Sequence, residues 1–555
     1  MELLQPAEAL LVEKVNTNYI PTYSEKQEIL DVLKAPLAHL ACLEEEIAHF
    51  DLLLQQRDSL KQGVKAYQDL LSPARRILPE ILQEIFIHCL PEDRNQAMSA
   101  KEAPLLLGLV CRSWRRLSIA CPRLWSSIHI PVLYNTLFSI PIVGNEQTPR
   151  LRNDAVKRWL DRSGNCPLTI SLKEMPASSG PVDLRDGIDP GSGLAKLLIG
   201  YSRRWKKIEL TCLNSLSQFT TLAAKDVPVL ESLSISSSPL RKGDDPSKTT
   251  LFRAPRLRTL RLCYMSGDIL KYHVSWADLT DLHLDRHARA TDREPFKITP
   301  EIALALLGRC HSLERCRLDI AAPAVRHTQR SVHLPHLIEL WITVQWETKM
   351  LMFFKSLFAP ALKHFRFRNS ERIQDIKFPG LGLLPRCLEL DTLTLNPCIL
   401  TEAQIIECLR WCPTITTLNI LGGREIEDYA LDIILSLALV PSFSDNVLEF
   451  LTPGSPAITK KQPCLCPMLR SFHCDRQNSI SDEGLVRFLK AREAGQSQGI
   501  APLDTVVFAF DRLPKLDVKA ALAAEGFSCP ADMVLKYVAR KGLDPTEGLY
   551  WLDEY

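Results

Sequence analysis

The chain has 555 residues, with 67 lysines and arginines against 65 aspartates and glutamates, a formal charge of +2 at pH 7. This near balance excludes a general nucleic-acid binder, which carries a basic excess, and the length leaves room for a large core or a repeat array. The start, MELLQPAEALLVEKV, fits no signal peptide, and the most apolar run, Leu431 to Val440, carries Asp432 and stops at Pro441, too short for a bilayer crossing; the 17 cysteines then read as reduced thiols of an intracellular protein with no membrane contact.

Residues 1–23 lack periodicity and are expected to be loosely ordered. From 24 to 72 the pattern becomes helical. Leu43, Ile47, Phe50 and Leu54, and then Leu60, Val64, Tyr67 and Leu71, recur at the gaps of three and four that mark a coiled-coil-like segment. Pro36 and Gly63 fall inside it, and Arg57 and Lys61 lie on its seam. Two arrangements fit: self-association, and a helical hairpin folded against the following segment.

Between Pro79 and Pro91 lie Ile81, Leu82, Ile85, Phe86, Cys89 and Leu90 at helical spacing, with Glu80, Gln83 and Glu84 off the stripe. Pro104 opens a second stripe of Leu106, Leu109, Val110, Trp114 and Leu117, leaving Arg112, Arg115 and Arg116 in water. Pro122, Leu124 and Trp125 follow. Three short apolar elements are small for an independent core, so part of this surface is expected to find cover elsewhere. On periodicity alone, a three-helix core touching only its own chain fits as well.

The order Leu78-Pro79, Ile81-Leu82, Ile85-Phe86, Leu90, Val110-Cys111, Trp114, Pro122 and Leu124-Trp125 resembles an F-box, here residues 73–130. The resemblance implies an all-α three-helix module that binds the Skp adaptor and so joins a cullin-based SCF ubiquitin ligase. The anchors it implies are Leu78, Pro79, Ile81, Leu82, Ile85, Phe86, Leu90, Val110, Cys111 and Trp114. PEDRNQAMSAKEAP, between the two stripes, is longer than the family's usual connection. One large fungal group of F-box proteins is similar in carrying a helix before the motif and a Leu-Ser-Pro step like Leu71, Ser72 and Pro73.

Residues 131–510 carry a repeat, Leu-x-x-Leu-x-Leu, often with proline two residues before its first apolar position. Copies include Leu230, Leu233 and Ile235; Leu257, Leu260 and Leu262; Leu279, Leu282 and Leu284; and Leu313, Cys316 and Leu318. They continue through Leu337, Leu340 and Ile342; Leu362, Phe365 and Phe367; Ile415, Leu418 and Ile420; and Leu503, Val506 and Phe508. Helical patterns lie between them, with Thr299, Thr401 and Ser481 as N-caps. One strand per unit at irregular spacing resembles a divergent leucine-rich-repeat solenoid, an α/β repeat in which stacked neighbours bury what no unit covers alone. Residues 511–555 are expected to cap it.

If the second and third apolar positions point inward, the residue between them points to the opposite, concave face. That column reads Ser234, Arg261, His283, Arg317, Trp341, Arg366, Thr394, Asn419, His473 and Val507. Arg261, Arg317, Trp341 and Arg366 are the candidate substrate-binding residues, suited to an acidic or phosphorylated segment. Asp281, Asp285, Asp319 and Glu339 temper the charge, and a solvated mixed-charge surface is the alternative.

No phosphate-binding loop, dinucleotide fingerprint, HExxH or GxSxG is present. Cys464, Cys466, His473 and Cys474 supply zinc donors but not the paired spacing of structural sites, so a turn entering a strand is the expectation. Cys111 is expected to pack on its stripe. The cluster Arg203, Arg204, Lys206 and Lys207 around Trp205 reads as a helix-to-strand junction. The expectation is a non-catalytic bridge without a cofactor, holding adaptor at one end and substrate at the other. The alternative is a repeat scaffold whose F-box-like module supports no ubiquitin transfer.

Overall fold

The computed structural model describes residues 17–71, 76–134, 147–176, 192–212, 216–237, 249–263, 267–285, 298–320, 331–344, 350–369, 378–396, 400–421, 443–457, 464–475 and 478–538. Residues 1–16 of the expected loose start at 1–23, the apolar run Leu431 to Val440 and the tail bearing Trp551 and Tyr555 lie outside these residues. The chain forms two compact units, Met1–Ile85 and Phe86–Tyr555. Its class is mixed α/β, a long N-terminal helix and then an open, parallel 14-stranded sheet with helices. Among the described residues no helix is long and apolar enough to cross a membrane.

In the first unit, α1 (Tyr23–Leu70) runs uninterrupted for 48 residues. The Glu25 carboxylate accepts the Thr22 backbone N–H at 2.8 Å and its hydroxyl at 2.7 Å, fixing the helix start. The hairpin arrangement is not what forms. Pro36 removes one backbone bond and Gly63 adds flexibility, but neither brings a turn-forming neighbour, and Leu, Ala, Glu, Gln and Lys carry the helix through both. Leu40, Leu43, Ile47 and Phe50 are exposed. After α1, α2 (Pro79–His88) starts on a proline that needs no N–H partner.

In the second unit, the single stripe expected from Pro104 to Leu117 is two helices, α3 (Leu107–Val110) and α4 (Arg112–Ala120). Cys111 separates them in an extended conformation, φ −158° and ψ 169°. A one-turn helix Pro122–Trp125 then buries Leu124 and Trp125. The Trp125 indole donates to the Ser118 carbonyl at 2.8 Å and meets Trp159 edge-on at 4.8 Å.

The sheet strands are β1 (Ser127–Tyr134), β2 (Leu168–Pro176), β3 (Trp205–Cys212), β4 (Ser232–Ser237), β5 (Thr259–Cys263), β6 (Asp281–Asp285) and β7 (Arg315–Ile320). They continue as β8 (Glu339–Val344), β9 (His364–Asn369), β10 (Thr392–Leu395), β11 (Thr417–Ile420), β12 (Ser471–Cys474), β13 (Thr505–Phe510) and β14 (Asp532–Tyr537). Neighbours in sequence are neighbours in the sheet. The sheet starts at Ser127, before the expected boundary at 131, and runs past 510: the segment expected to cap it contributes a helix, Val518–Ala524, and β14 paired with β13.

Register follows the repeat. Leu233, Leu260, Leu282, Cys316, Leu340, Phe365, Leu393, Leu418, Phe472 and Val506 align strand to strand, all buried. The recurring proline has a structural cause. The carbonyls of Val227, Ala254, Leu334, Ala359 and Cys466 accept from the N–H three residues on, so Pro228, Pro255, Pro335, Pro360 and Pro467 each hold the second position of a tight turn. Where several strands begin, one carbonyl of the preceding unit takes two N–H groups of the next. Arg258 receives Thr280 and Asp281, Glu314 receives Ile338 and Glu339, and Ile338 receives Lys363 and His364. This satisfies the backbone polar groups where the strand ladder begins.

At the N-terminal edge, the long connection 91–104 lies on β1. Ala97 bridges His129, the Gln96 carbonyl accepts the His129 N–H at 2.7 Å, and Asn95 bonds Ser127 at 2.8 Å and Ser171 at 2.9 Å. The insertion covers an edge that would otherwise be open to pairing.

Candidate functional site

The column expected on the strand face opposite the core, the concave face, forms as one row, the outer row. Ser234, Arg261, His283, Arg317, Trp341, Arg366, Thr394, Asn419, His473 and Val507 are register partners in turn from β4 to β13. Buried apolar residues on either side of each one force it to the opposite face, which is the alternation of an extended strand.

Trp341 stands at the centre. The Arg317 guanidinium lies 5.3 Å from its ring centroid and that of Arg366 4.7 Å, one from each flanking strand. Stacking on the indole holds both guanidinium forks in a defined plane. Arg317 is also held by Asp285, Nε to Oδ1 2.9 Å. In the next row Arg315 grips Asp281 with two bonds, one of them Nη2 to Oδ2 at 2.8 Å, and Thr280 donates to the same carboxylate at 2.8 Å. Burial opposes ionisation of Asp281, but the Arg315 and Thr280 bonds outweigh it and hold its carboxyl below the usual range.

Two of the four acids that temper the face are thus spent on positioning arginines. His283 reports the resulting field. Burial, with Arg261 and Arg317 on the flanking strands, pushes its pKa down to about 4, so it is neutral at pH 7. Arg261 is exposed. Geometry brings Arg317, Trp341 and Arg366 together; Arg261 stands in the same row, separated from Arg317 by His283. Sequence reasoning named all four but missed the Asp281–Arg315 and Asp285–Arg317 pairs. Their signal was opposite charge at neighbouring register positions, readable only once register is known.

The expected adaptor anchors divide by burial. Leu82 and Phe86 point inward, and Phe86 packs on Trp114 at 4.9 Å. Leu90 and Trp114 are half-buried. Leu78, Pro79, Ile81 and Ile85 are exposed in the first unit, and Val110 and Cys111 in the second. Cys111 corrects its expectation: it is exposed, and its sulfur caps α4 by accepting the Trp114 N–H at 3.4 Å. Leu106 and Leu109 are further exposed apolar residues beside it.

The four zinc-donor candidates are dispersed. His473 and Cys474 are consecutive in β12 and so face opposite sides, and Cys474 is in the core. The Cys466 thiol donates to the Cys412 carbonyl at 3.5 Å, and Cys464 donates to Leu451 at 3.1 Å. Among the described residues no group of three His, Cys, Asp or Glu side chains is placed to hold a metal. The turn reading fits. Arg492, buried at the end of a helix Asp482–Ala494, donates to the carbonyls of Cys466 at 3.1 Å and Leu469 at 3.0 Å. The cluster at 203–207 is a junction, a short turn leading into β3, with Trp205 buried and Arg204 donating to the Cys166 carbonyl at 2.9 Å. No protein-family model matches the chain, and no curated protein matches its sequence.

Proposed function

We propose that the chain is a substrate-recognition subunit of an SCF-type ubiquitin ligase, intracellular and without catalytic residues of its own. In this reading residues 73–130 are an F-box held by the Skp adaptor. The one-strand-per-unit sheet is a divergent leucine-rich-repeat solenoid, and its outer face holds a protein segment bearing carboxylates or phosphates. The observation that carries the reading is that α2 is apolar on two sides. Leu82 and Phe86 serve the fold, while Leu78, Ile81 and Ile85 are 65%, 52% and 42% exposed. Burying the part that these three still expose stabilises a complex by roughly 1 kcal/mol for each. Holding adaptor and substrate on one chain makes ubiquitin transfer effectively intramolecular.

The test is co-purification of Skp adaptor and cullin with the intact chain and with Ile81→Asp/Ile85→Asp, whose side chains leave the inner stripe untouched. Both proteins are expected with the intact chain and lost from the variant. Absence of both from the intact chain overturns the reading.

A further inference from the structure

The long helix α1 has an unpartnered seam independent of the F-box reading. Leu33, Leu40, Leu43, Ile47, Phe50 and Leu54 follow one another along it at the heptad core positions, and they are 38%, 53%, 43%, 61%, 63% and 46% exposed. From Leu40 to Leu54 the core positions are apolar without a break, as in the seam of a two-helix coiled coil; Pro36 takes the core position before Leu40, and Leu37, Leu53 and Leu60 widen the stripe at its flanks. The charges beside and along this seam decide what covers it. Its flanking positions between 44 and 58 hold Glu44, Glu46, Asp51, Leu53 and Asp58, with no lysine or arginine among them. The seam itself continues through Arg57 and Lys61, both exposed, before Val64. Arg57 reaches Asp58 of the same helix at 2.7 Å, an exposed neighbour contact that leaves both side chains about half in water.

A second copy is a poor occupant. Paired parallel and in register, two copies set Arg57 against Arg57 and Lys61 against Lys61 in successive core layers, and Glu46 against Asp51 on each side. Paired antiparallel, the flank of Glu44, Asp51 and Asp58 meets itself. Both orientations bring like charges together where the seam is most apolar. A different helix resolves each conflict if it carries lysine or arginine beside its apolar seam and a carboxylate opposite Arg57 and Lys61.

We propose that α1 is the acidic half of a heterotypic coiled coil, and that its partner is an amphipathic helix of another protein with basic flanks. The test uses the full chain. Light scattering reports its mass in solution. Fluorescence anisotropy then follows two synthetic four-heptad peptides with leucine and isoleucine at the core positions. One has lysine at the flanks and glutamate in the layers matched to Arg57 and Lys61; the other has the charges exchanged. The expected result is a monomer that binds the lysine-flanked peptide at least tenfold more tightly. Ile47→Asp/Phe50→Asp abolishes that binding, and Glu44→Lys/Glu46→Lys/Asp51→Lys reverses the preference. All five positions are exposed, so circular dichroism is expected to show each variant folded. A dimer that Ile47→Asp/Phe50→Asp dissolves assigns the seam to a second copy and overturns the proposal. Equal affinity for the two peptides, or none for either, overturns it as well.

Discussion

From β5 to β9 the middle outer row is Arg261, His283, Arg317, Trp341 and Arg366; from β10 to β13 it is Thr394, Asn419, His473 and Val507. Behind both halves the inner row is the same kind of buried apolar ladder. The first half spends its polar chemistry on ion pairs and stacked guanidinium groups. The second spends it locally, as where Asn419 donates to Thr394 at 3.1 Å. Packing dictates the inner rows, because a unit cannot cover its own side chains, whereas the outer rows answer only to solvent and to a partner. Binding is therefore expected from one half and framework alone from the other.

The largest effect is expected behind the quiet half. Phe472 is fully buried, with Phe508 at 4.9 Å, Phe443 at 5.8 Å and Phe488 at 5.9 Å. Phe472→Ala removes a hub of three ring contacts and is expected to cost about 3–5 kcal/mol in urea denaturation. A loss under about 1 kcal/mol contradicts the shared ladder.

Next comes the C-terminal end. Asp482, fully buried, accepts from Arg512 at 2.6 and 3.0 Å, from the Lys515 N–H at 2.7 Å and from the Tyr537 hydroxyl at 2.9 Å. Burial alone raises its pKa, but these bonds prevail and lower it to about 2. A depressed carboxyl contributes stability that is complete above its ordinary value, 3.8, and is lost as pH falls through about 2. Asp482→Ala strands the Arg512 charge and is expected to cost about 3 kcal/mol at neutral pH, read by denaturation and by faster proteolysis after residue 480.

Trp341→Ala sharpens the contrast from the binding side. Losing the plate between two guanidinium groups is expected to weaken capture of an anionic segment roughly tenfold, with little change in denaturation midpoint, since the ring is half-exposed. His473→Ala, the matched change in the other half, is expected to leave capture unchanged.

The smallest effect is one of pH. The folded pKa of His283, about 4, lies below its ordinary 6.5, so its contribution is complete above 6.5 and is lost as pH falls toward 4. His283→Gln is expected to flatten that part of a stability–pH profile. An unchanged profile places the histidine outside the field of Arg261 and Arg317.

The strand positions were legible in the chain because the same apolar spacing and the same turn proline recur, and strand alternation then placed the outer row residue by residue. Thr299, Thr401 and Ser481 cap the helices they precede, accepting N–H groups of Ile302, Gln404 and Gly484. Elements that depend on one residue's backbone were not legible, as at Cys111, where an apolar stripe hid a break between helices. Nor were contacts across sequence, such as Asp482 to Tyr537 or connection 91–104 on β1, since polar residues in a connection look alike whether solvated or docked. β14 escaped because Met533 and Leu535 follow the repeat without its leading leucine and proline.

The most direct measurement is quantitative mass spectrometry of proteins captured by the intact chain and by Arg261→Glu/Arg366→Glu. Adaptor and cullin are expected at equal levels with both forms, while one or more acidic or phosphorylated partners are expected to vanish from the variant. An unchanged partner set contradicts the claim that this half of the outer face is where the protein recognises its substrate.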